Sequence, residues 1–237
     1  MARESLWAVV PLKDARRAKQ RLAPLLAAQQ RMGLARAMAR DVLLALGRVR
    51  DLAGILVVAG DPAVRELARP VGARVIDETL SPGMRAAVAA AAQALARDRA
   101  AGMLVVPADL PLITPAEIET VLAAHGDAPA VTLVPAIADQ GSNGLACSPV
   151  DVIPPLFGPR SSVRHREAAL ARGVQPCVLP LPGWGRDIDR PDDLLAFAAT
   201  PSDTRTYAYL ERLGIVGRLR AAARGGAWTA SAMRRVG

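Results

Sequence analysis

Residues 102–111, "GMLVVPADLP", decide how the rest of the chain is read. Met103 to Val106 are apolar without a polar/apolar alternation, which is the pattern of a strand buried on both faces. The run then stops in a turn stiffened by Pro107 and Pro111, with Asp109 between them. Strands covered on both faces belong to parallel sheets layered with helices. In such open sheets ligands gather at the carboxyl ends of the strands. Asp109 stands at such an end.

The same pattern repeats outward in both directions. "LWAVVP", "GILVVAG" and "ARVID" read as strands upstream, and "PAVTLVPA" and "GLACSP" as strands around a loop downstream, with "VQPCVLPLP" extended. Between them, "QQRMGLARAMARDVLLALGRV" has Met32, Leu34, Ala35, Met38, Val42 and Leu46 near helical spacing. "DPAVRELARPV" reads as a short helix with Asp61 as cap and Pro62 first, and "SPGMRAAVAAAAQALARDRA" as a loop running into a helix. "TPAEIETVLAAHG" opens with the capping box Thr114/Glu117, and "SSVRHREAALARG" and "RPDDLLAFAAT" are helical. The alternation predicts an α/β fold: a three-layer, Rossmann-like, mostly parallel sheet. Residues 1–200 form one domain in this reading. Residues 201–237 are a C-terminal extension with one more helix and a loose basic tail.

Composition narrows the function classes. The 237 residues carry a net charge of +8, 51% hydrophobic residues and 3% aromatics. The basic residues are dispersed and Ala and Arg usage is heavy throughout, so the charge reads first as a general compositional bias; with stacking surfaces scarce, anionic small substrates rank second and nucleic acid last. Cys147 and Cys177 have neither metal-ligand spacing nor a disulfide framework. No run reaches the ~20 apolar residues that span a bilayer, and the N-terminus lacks a signal segment, so a cytoplasmic setting without a membrane partner is expected.

Four polar clusters fall at predicted strand ends. "VVPLKDARRAKQRLAP", residues 9–24, holds Lys13 and Lys19, the only lysines of the chain, together with Arg21. No Walker or GxGxxG pattern is present, yet Lys is a compact mobile charge suited to phosphate oxygens. Asp109 is the second cluster. In "GWGRDIDRPDDL", Asp187 and Asp189 alternate, so an extended backbone turns both to one side, a natural Mg²⁺ pair. Asp192 and Asp193 instead suit the N-terminal dipole of the helix that follows. In "FGPRSSVRH", a Gly158-Pro159 turn precedes Ser161 and Ser162, which read either as an anion site or as plain N-caps. His165 reads as structural, and no nucleophilic triad is persuasive. One loop of cations, two of carboxylates and one of anion-binding amides suit Mg²⁺-dependent chemistry on a nucleoside triphosphate with a second anionic substrate.

The segments "VPLKDARRAKQRLAP", "VVPADLPLIT", "GSNGLACSP", "FGPRSSVRH" and "RDIDRPDDL", in this order, resemble the guanylyltransferases of coenzyme F-420 biosynthesis. That family couples GTP to phosphoenolpyruvate, 2-phospho-L-lactate or 3-phospho-D-glycerate and releases pyrophosphate. The resemblance spans residues 6–198 and implies a nucleotidyltransferase variant of the Rossmann-like sheet. It implies that Asp109, Asp187 and Asp189 bind Mg²⁺, that Asn143, Gly158 and Ser161 hold the phosphorylated acid, and that Lys13, Lys19 and Arg21 contact the triphosphate. Arg85, in "PGMRAAV", stands where related sequences often carry Asn. A molybdenum-cofactor-type or sugar nucleotidyltransferase is the first alternative, disfavoured by a first loop without glycine. A basic nucleic-acid-binding protein is the second. Oligomeric state stays open, a homodimer among the options.

Overall fold

The computed structural model describes residues 5–12, 19–59, 63–77 and 83–224. Lys13, the proposed cap Asp61 with Pro62, and the basic tail from residue 225 lie outside these residues.

Among the described residues, seven strands form one sheet: β1 (Trp7–Leu12), β2 (Gly54–Ala59), β3 (Arg74–Asp77), β4 (Met103–Val105), β5 (Ala130–Pro135), β6 (Ser142–Ser148) and β7 (Cys177–Val178). Their order is β3-β2-β1-β4-β6-β5-β7. β1 pairs in parallel with β2 and β4, β2 with β3, and β5 with β7. β6 alone runs antiparallel, between β4 and β5. The expectation of a mostly parallel sheet holds. The antiparallel β6 also brings its first residues, Ser142 and Asn143, to the edge where β1 and β4 end.

The unbroken apolar strands have the expected cause. Ala8, Val10, Leu104 and Val106 point to one face of the sheet, against α1 (Ala28–Leu46) and α4 (Pro115–Ala124) through Val42, Leu46, Ile118 and Val121. Val9, Leu56, Val105 and Leu145 point to the other, against α3 (Met84–Arg97) and α5 (Ser161–Ala171) through Val88, Leu95 and Ala169. Each Val, Leu or Ile among them contributes about 1.5–3 kcal/mol by leaving water, so a polar residue on either face would be costly. α2 (Ala63–Ala68) completes the layer beside α1. The capping box of α4 is present: the Thr114 hydroxyl accepts from the Glu117 amide and the Glu117 carboxylate from the Thr114 amide.

The chain beyond residue 200 departs from the expected single helix. It forms two, α7 (Arg205–Arg212) and α8 (Ile215–Arg224), separated by Gly214 at φ 68°. That left-handed value ends a helix and favours glycine. With α6 (Pro191–Ala199), these helices build a third apolar cluster: Leu194, Phe197, Tyr207, Leu210, Ile215 and Leu219 close on Leu34 and Met38 of α1. Leu22, Leu25, Leu26 and Ile188 belong to the same cluster. The α7 start is tied down by Asp41 of α1, whose carboxylate accepts from the Arg205 and Thr206 amides and from the Thr206 hydroxyl. No helix among the described residues is long and apolar enough to cross a membrane.

Leu210 is fully buried in this third cluster. Leu210→Ala is expected to lower unfolding free energy by about 2–5 kcal/mol, read as a shifted midpoint in denaturant. A loss under 1 kcal/mol would mean that the C-terminal helices contribute little to global stability.

Candidate active site

Four segments meet at the carboxyl edge of the parallel strands. The pairing of β1 and β4 extends one residue past β4, where the Val106 amide donates to the Val9 carbonyl at 2.9 Å. The Pro-bounded turn then presents Asp109. Its backbone carbonyl accepts from the Ile188 amide at 3.1 Å, which stitches this turn to the segment carrying Asp187 and Asp189. Ile188 is 2% exposed and anchored in the third apolar cluster. Alternation about it turns both neighbouring carboxylates away from that core, as an extended backbone requires. The Asp193 carboxylate accepts from the Asp189 amide at 3.0 Å and the Arg190 amide at 2.6 Å. Its role is therefore more specific than interaction with a helix dipole: it fixes the backbone of Asp189.

The carboxylates close on a single ammonium. Lys19 Nζ lies 2.7 Å from Asp109 Oδ2 and 3.7 Å from Asp189 Oδ1, with its side chain only 8% exposed. Lys19 has a left-handed backbone (φ 54°) and leads into a short 3-10 turn, Gln20–Leu22, whose Leu22 is buried in the third cluster. Arg21, on the same turn, reaches Asp189 Oδ2 at 2.6 Å from the solvent side. Burial works against the Lys19 charge, but the attraction of Asp109, Asp189 and Asp187 outweighs it and raises its pKa overall. Asp187 is raised as well, first by burial and then by the charge of Asp109, with the Asn143 hydrogen bond and Lys19 opposing. The structure thus brings together Asp109, Asp187, Asp189, Lys19 and Arg21, all singled out by sequence. Among the described residues no three acidic, His or Cys side chains are arranged as a ready metal cage. Lys19 places a positive charge beside Asp109 and Asp189.

Asn143 joins this cluster through Asp187. Its Nδ2 donates to Asp187 Oδ1 at 3.2 Å and to the Trp184 carbonyl at 3.3 Å, while Trp184 Nε1 donates back to the Asn143 carbonyl at 2.6 Å. Trp184 is fully buried. Sequence reading gave it no role, although a lone Trp between two glycines just before the Asp187/Asp189 pair was a visible signal.

Behind Asn143 lies a second network. The Ser142 amide donates to Ser161 Oγ at 2.8 Å, and Ser142 Oγ lies 3.0 Å from His165 Nδ1. The Leu156 amide donates to His165 Nε2 at 2.8 Å, so Nδ1 carries the proton and donates to Ser142. Burial first, then the nearby charges of Arg164 and Arg85, lower the His165 pKa to about 4. The imidazole is therefore neutral and structural, as expected. Neither Ser161 nor Ser162 caps α5: the cap is Arg160, at φ 53°, and Ser161 is the first helical residue, 2% exposed. The Ser161 amide donates to the Gly158 carbonyl at 3.1 Å and the Ser162 amide to the Gln140 carbonyl at 3.0 Å. Gly158 is exposed at φ 123°. Cys147 is fully buried and its thiol is pushed up to about 12, chiefly by burial, which leaves it no nucleophilic character near neutral pH.

The family model described as "Guanylyl transferase CofC like" matches residues 6–227. The chain belongs to this family. A phosphoenolpyruvate guanylyltransferase of Rubrobacter xylanophilus is 39% identical over 83% of this chain and 95% of its own length. A 3-phospho-D-glycerate guanylyltransferase of Colwellia psychrerythraea is 35% identical over 81% of this chain and 92% of its own. Among solved structures, a protein of Desulfovibrio desulfuricans G20 assigned as a nucleotide-diphospho-sugar transferase shares the fold at a TM-score of 0.69 and 16% identity, covering 90% of this chain and 97% of that one. The CofC-like match extends through the whole of α7 and α8. It takes in the helices that build the third apolar cluster beneath Lys19 and Ile188.

In this CofC-like chain the His165 network carries a pH signature. Unfolding restores an ordinary imidazole, so the unfolded state binds the proton more readily. Stability is fully present above about pH 6.5 and declines as pH falls toward 4, by about 3 kcal/mol from this group. Imidazole NMR should show His165 neutral down to about pH 4; titration near 6.5 would remove it from the buried network.

Proposed function

We propose that the chain transfers a guanylyl group from GTP to a phosphorylated three-carbon acid, releasing pyrophosphate, as a step of coenzyme F-420 biosynthesis. The observation that carries this reading is the convergence of Asp109, Asp187, Asp189, Lys19 and Arg21 at one strand edge in a member of the CofC-like family. The names of its relatives favour phosphoenolpyruvate first, with 3-phospho-D-glycerate next. Family membership favours guanylyl transfer over the sugar- and molybdenum-cofactor-type alternatives.

The reading includes Mg²⁺ bound by Asp109, Asp187 and Asp189. The donor chemistry fits, because Mg²⁺ takes carboxylate oxygens and completes its shell with substrate phosphates and water rather than with an all-protein cage. Asp187 supports the fit: burial and the neighbouring Asp109 both disfavour its ionised form, and a divalent cation beside them relieves that cost. Bound there, Mg²⁺ would supply neutralisation of phosphate charge and in-line alignment of attacking and leaving oxygens.

The protein's own groups have defined parts in this mechanism. A phosphate oxygen of the acid attacks the α-phosphorus of GTP, and pyrophosphate leaves. Lys19 and Arg21, paired with carboxylates in the structure, exchange those partners for triphosphate oxygens and stabilise charge developing on the leaving pyrophosphate. Lys13 joins them in this reading. Asn143 holds Asp187 in orientation, Gly158 offers an exposed backbone to the acid, and Ser161 supports the acid loop by holding the Ser142 amide. A phosphate monoester is largely ionised near neutral pH, so no protein base is required. The neutral, doubly engaged His165 accords with that.

The test pairs each of four nucleoside triphosphates with each of the three acids and follows pyrophosphate with Mg²⁺ present. Turnover with GTP and at least one acid is expected, and silence with every pair would sink the assignment. Asp187→Asn should lower kcat/KM by roughly 10²-fold or more with an unchanged circular dichroism spectrum. Full activity in that variant would place Asp187 outside the reacting centre.

A further inference from the structure

Two arginines from different helices converge on one loop. Arg85, the second residue of α3, donates Nε to the Phe157 carbonyl at 2.5 Å. Arg164 of α5 donates Nη2 to the Leu156 carbonyl and, at 3.3 Å, to the same Phe157 carbonyl. Both guanidinium groups flank Gly158: a β-carbon built there would stand 3.3 Å from Arg85 Nη2 and 3.7 Å from Arg164 Nη2. Among the described residues neither arginine forms an ion pair with a carboxylate. The Arg164 Nε is buried without a hydrogen-bond partner. The two charges are felt nearby, where both disfavour protonation of His165.

Two like charges sharing one carbonyl, with a buried donor left over, form an arrangement that an anion completes. Its place is open to solvent, since Arg85 and Gly158 are exposed. It also connects to the reacting centre: the loop is held by His165, His165 by Ser142, and the next residue, Asn143, grips Asp187. The first two amides of α5 are already bonded to the Gly158 and Gln140 carbonyls. Positive charge for an anion here therefore comes from the guanidinium groups.

We propose that Arg85 and Arg164 bind the carboxylate of the second substrate across Gly158 and so set the specificity for a phosphorylated acid. This rests on the guanylyl-transfer reading above. The acid has two anionic ends. Its phosphate must reach the α-phosphorus beside Lys19 and the three carboxylates, which leaves the carboxylate to the second cationic locus. Planar guanidinium forks match a carboxylate better than a single ammonium does.

Arg85 is the residue to change, because Arg164 also braces the loop. With phosphoenolpyruvate and GTP, Arg85→Gln should raise KM for the acid by roughly 10- to 100-fold. KM for GTP should stay unchanged and kcat should fall far less, and Arg85→Lys should recover part of the loss. The carboxamide analogue of the acid adds a control: the wild-type protein should discriminate strongly against it, and Arg85→Gln should not. An unchanged acid KM, or equal discrimination in the variant, overturns the proposal while leaving guanylyl transfer standing. If the wild-type protein turns over no acid, calorimetric titration of phosphoenolpyruvate decides separately. Binding that weakens in Arg85→Gln supports the anion site; equal binding, or none to the wild-type protein, overturns it.

Discussion

The contact between the Lys19 ammonium and the Asp109 carboxylate, 2.7 Å and largely shielded from water, organises the site. It joins the segment after β1 to the turn after β4, two strands that are neighbours in the sheet but far apart in sequence. Asp109, Asp187 and Asp189 at one edge repel each other, and a lone buried charge of either sign is costly. The protein meets both problems with one cation inside the cluster and a second, Arg21, at its rim. On the proposed reading, incoming phosphates would take these cations and leave the carboxylates free to hold a metal, so that charge contacts would be traded for charge contacts.

The sheet and its support play different parts. Apolar packing on both faces positions the strand ends, but the orientation of the polar groups comes from fixed points beyond the sheet. Leu22, three residues past Lys19, and Ile188, between Asp187 and Asp189, sink into the third cluster with α6, α7 and α8. Trp184 holds Asn143, and Asp193 holds the backbone of Asp189. Each polar residue thus has an immobilised partner within a few positions along the chain or directly across the sheet, as a preorganised site requires.

Much of this was legible in the residues. The strands could be read because burial on both faces leaves continuous apolar runs, as in "GMLVVPADLP". The candidate carboxylates and lysines stood at their ends, where parallel sheets present ligand-binding groups. What escaped reading was fixed by contacts between distant residues. The Trp184–Asn143 bond joins positions 41 apart, and the Arg85 contact with the Phe157 carbonyl joins positions 72 apart. Neither leaves a local periodic trace. Ser161 was misread as a possible cap because a hydroxyl opening a helix is locally persuasive; its oxygen is in fact taken by the Ser142 amide from β6. The break at Gly214 was missed because apolar residues continue on both sides of it.

The third apolar cluster has a consequence for dynamics. α7 and α8 pack on each other and join the molecule mainly through α1 and α6, outside the strand ladder, and a unit attached in this way can open ahead of the sheet. Because Leu22 and Ile188 rest on that unit, its transient opening would loosen the Lys19 turn and the Asp187/Asp189 segment while the sheet stayed intact. Amide protons along β1 and β4 would then exchange more slowly than those of the helices on which the chemistry is mounted, and loss of activity on warming would precede loss of the fold.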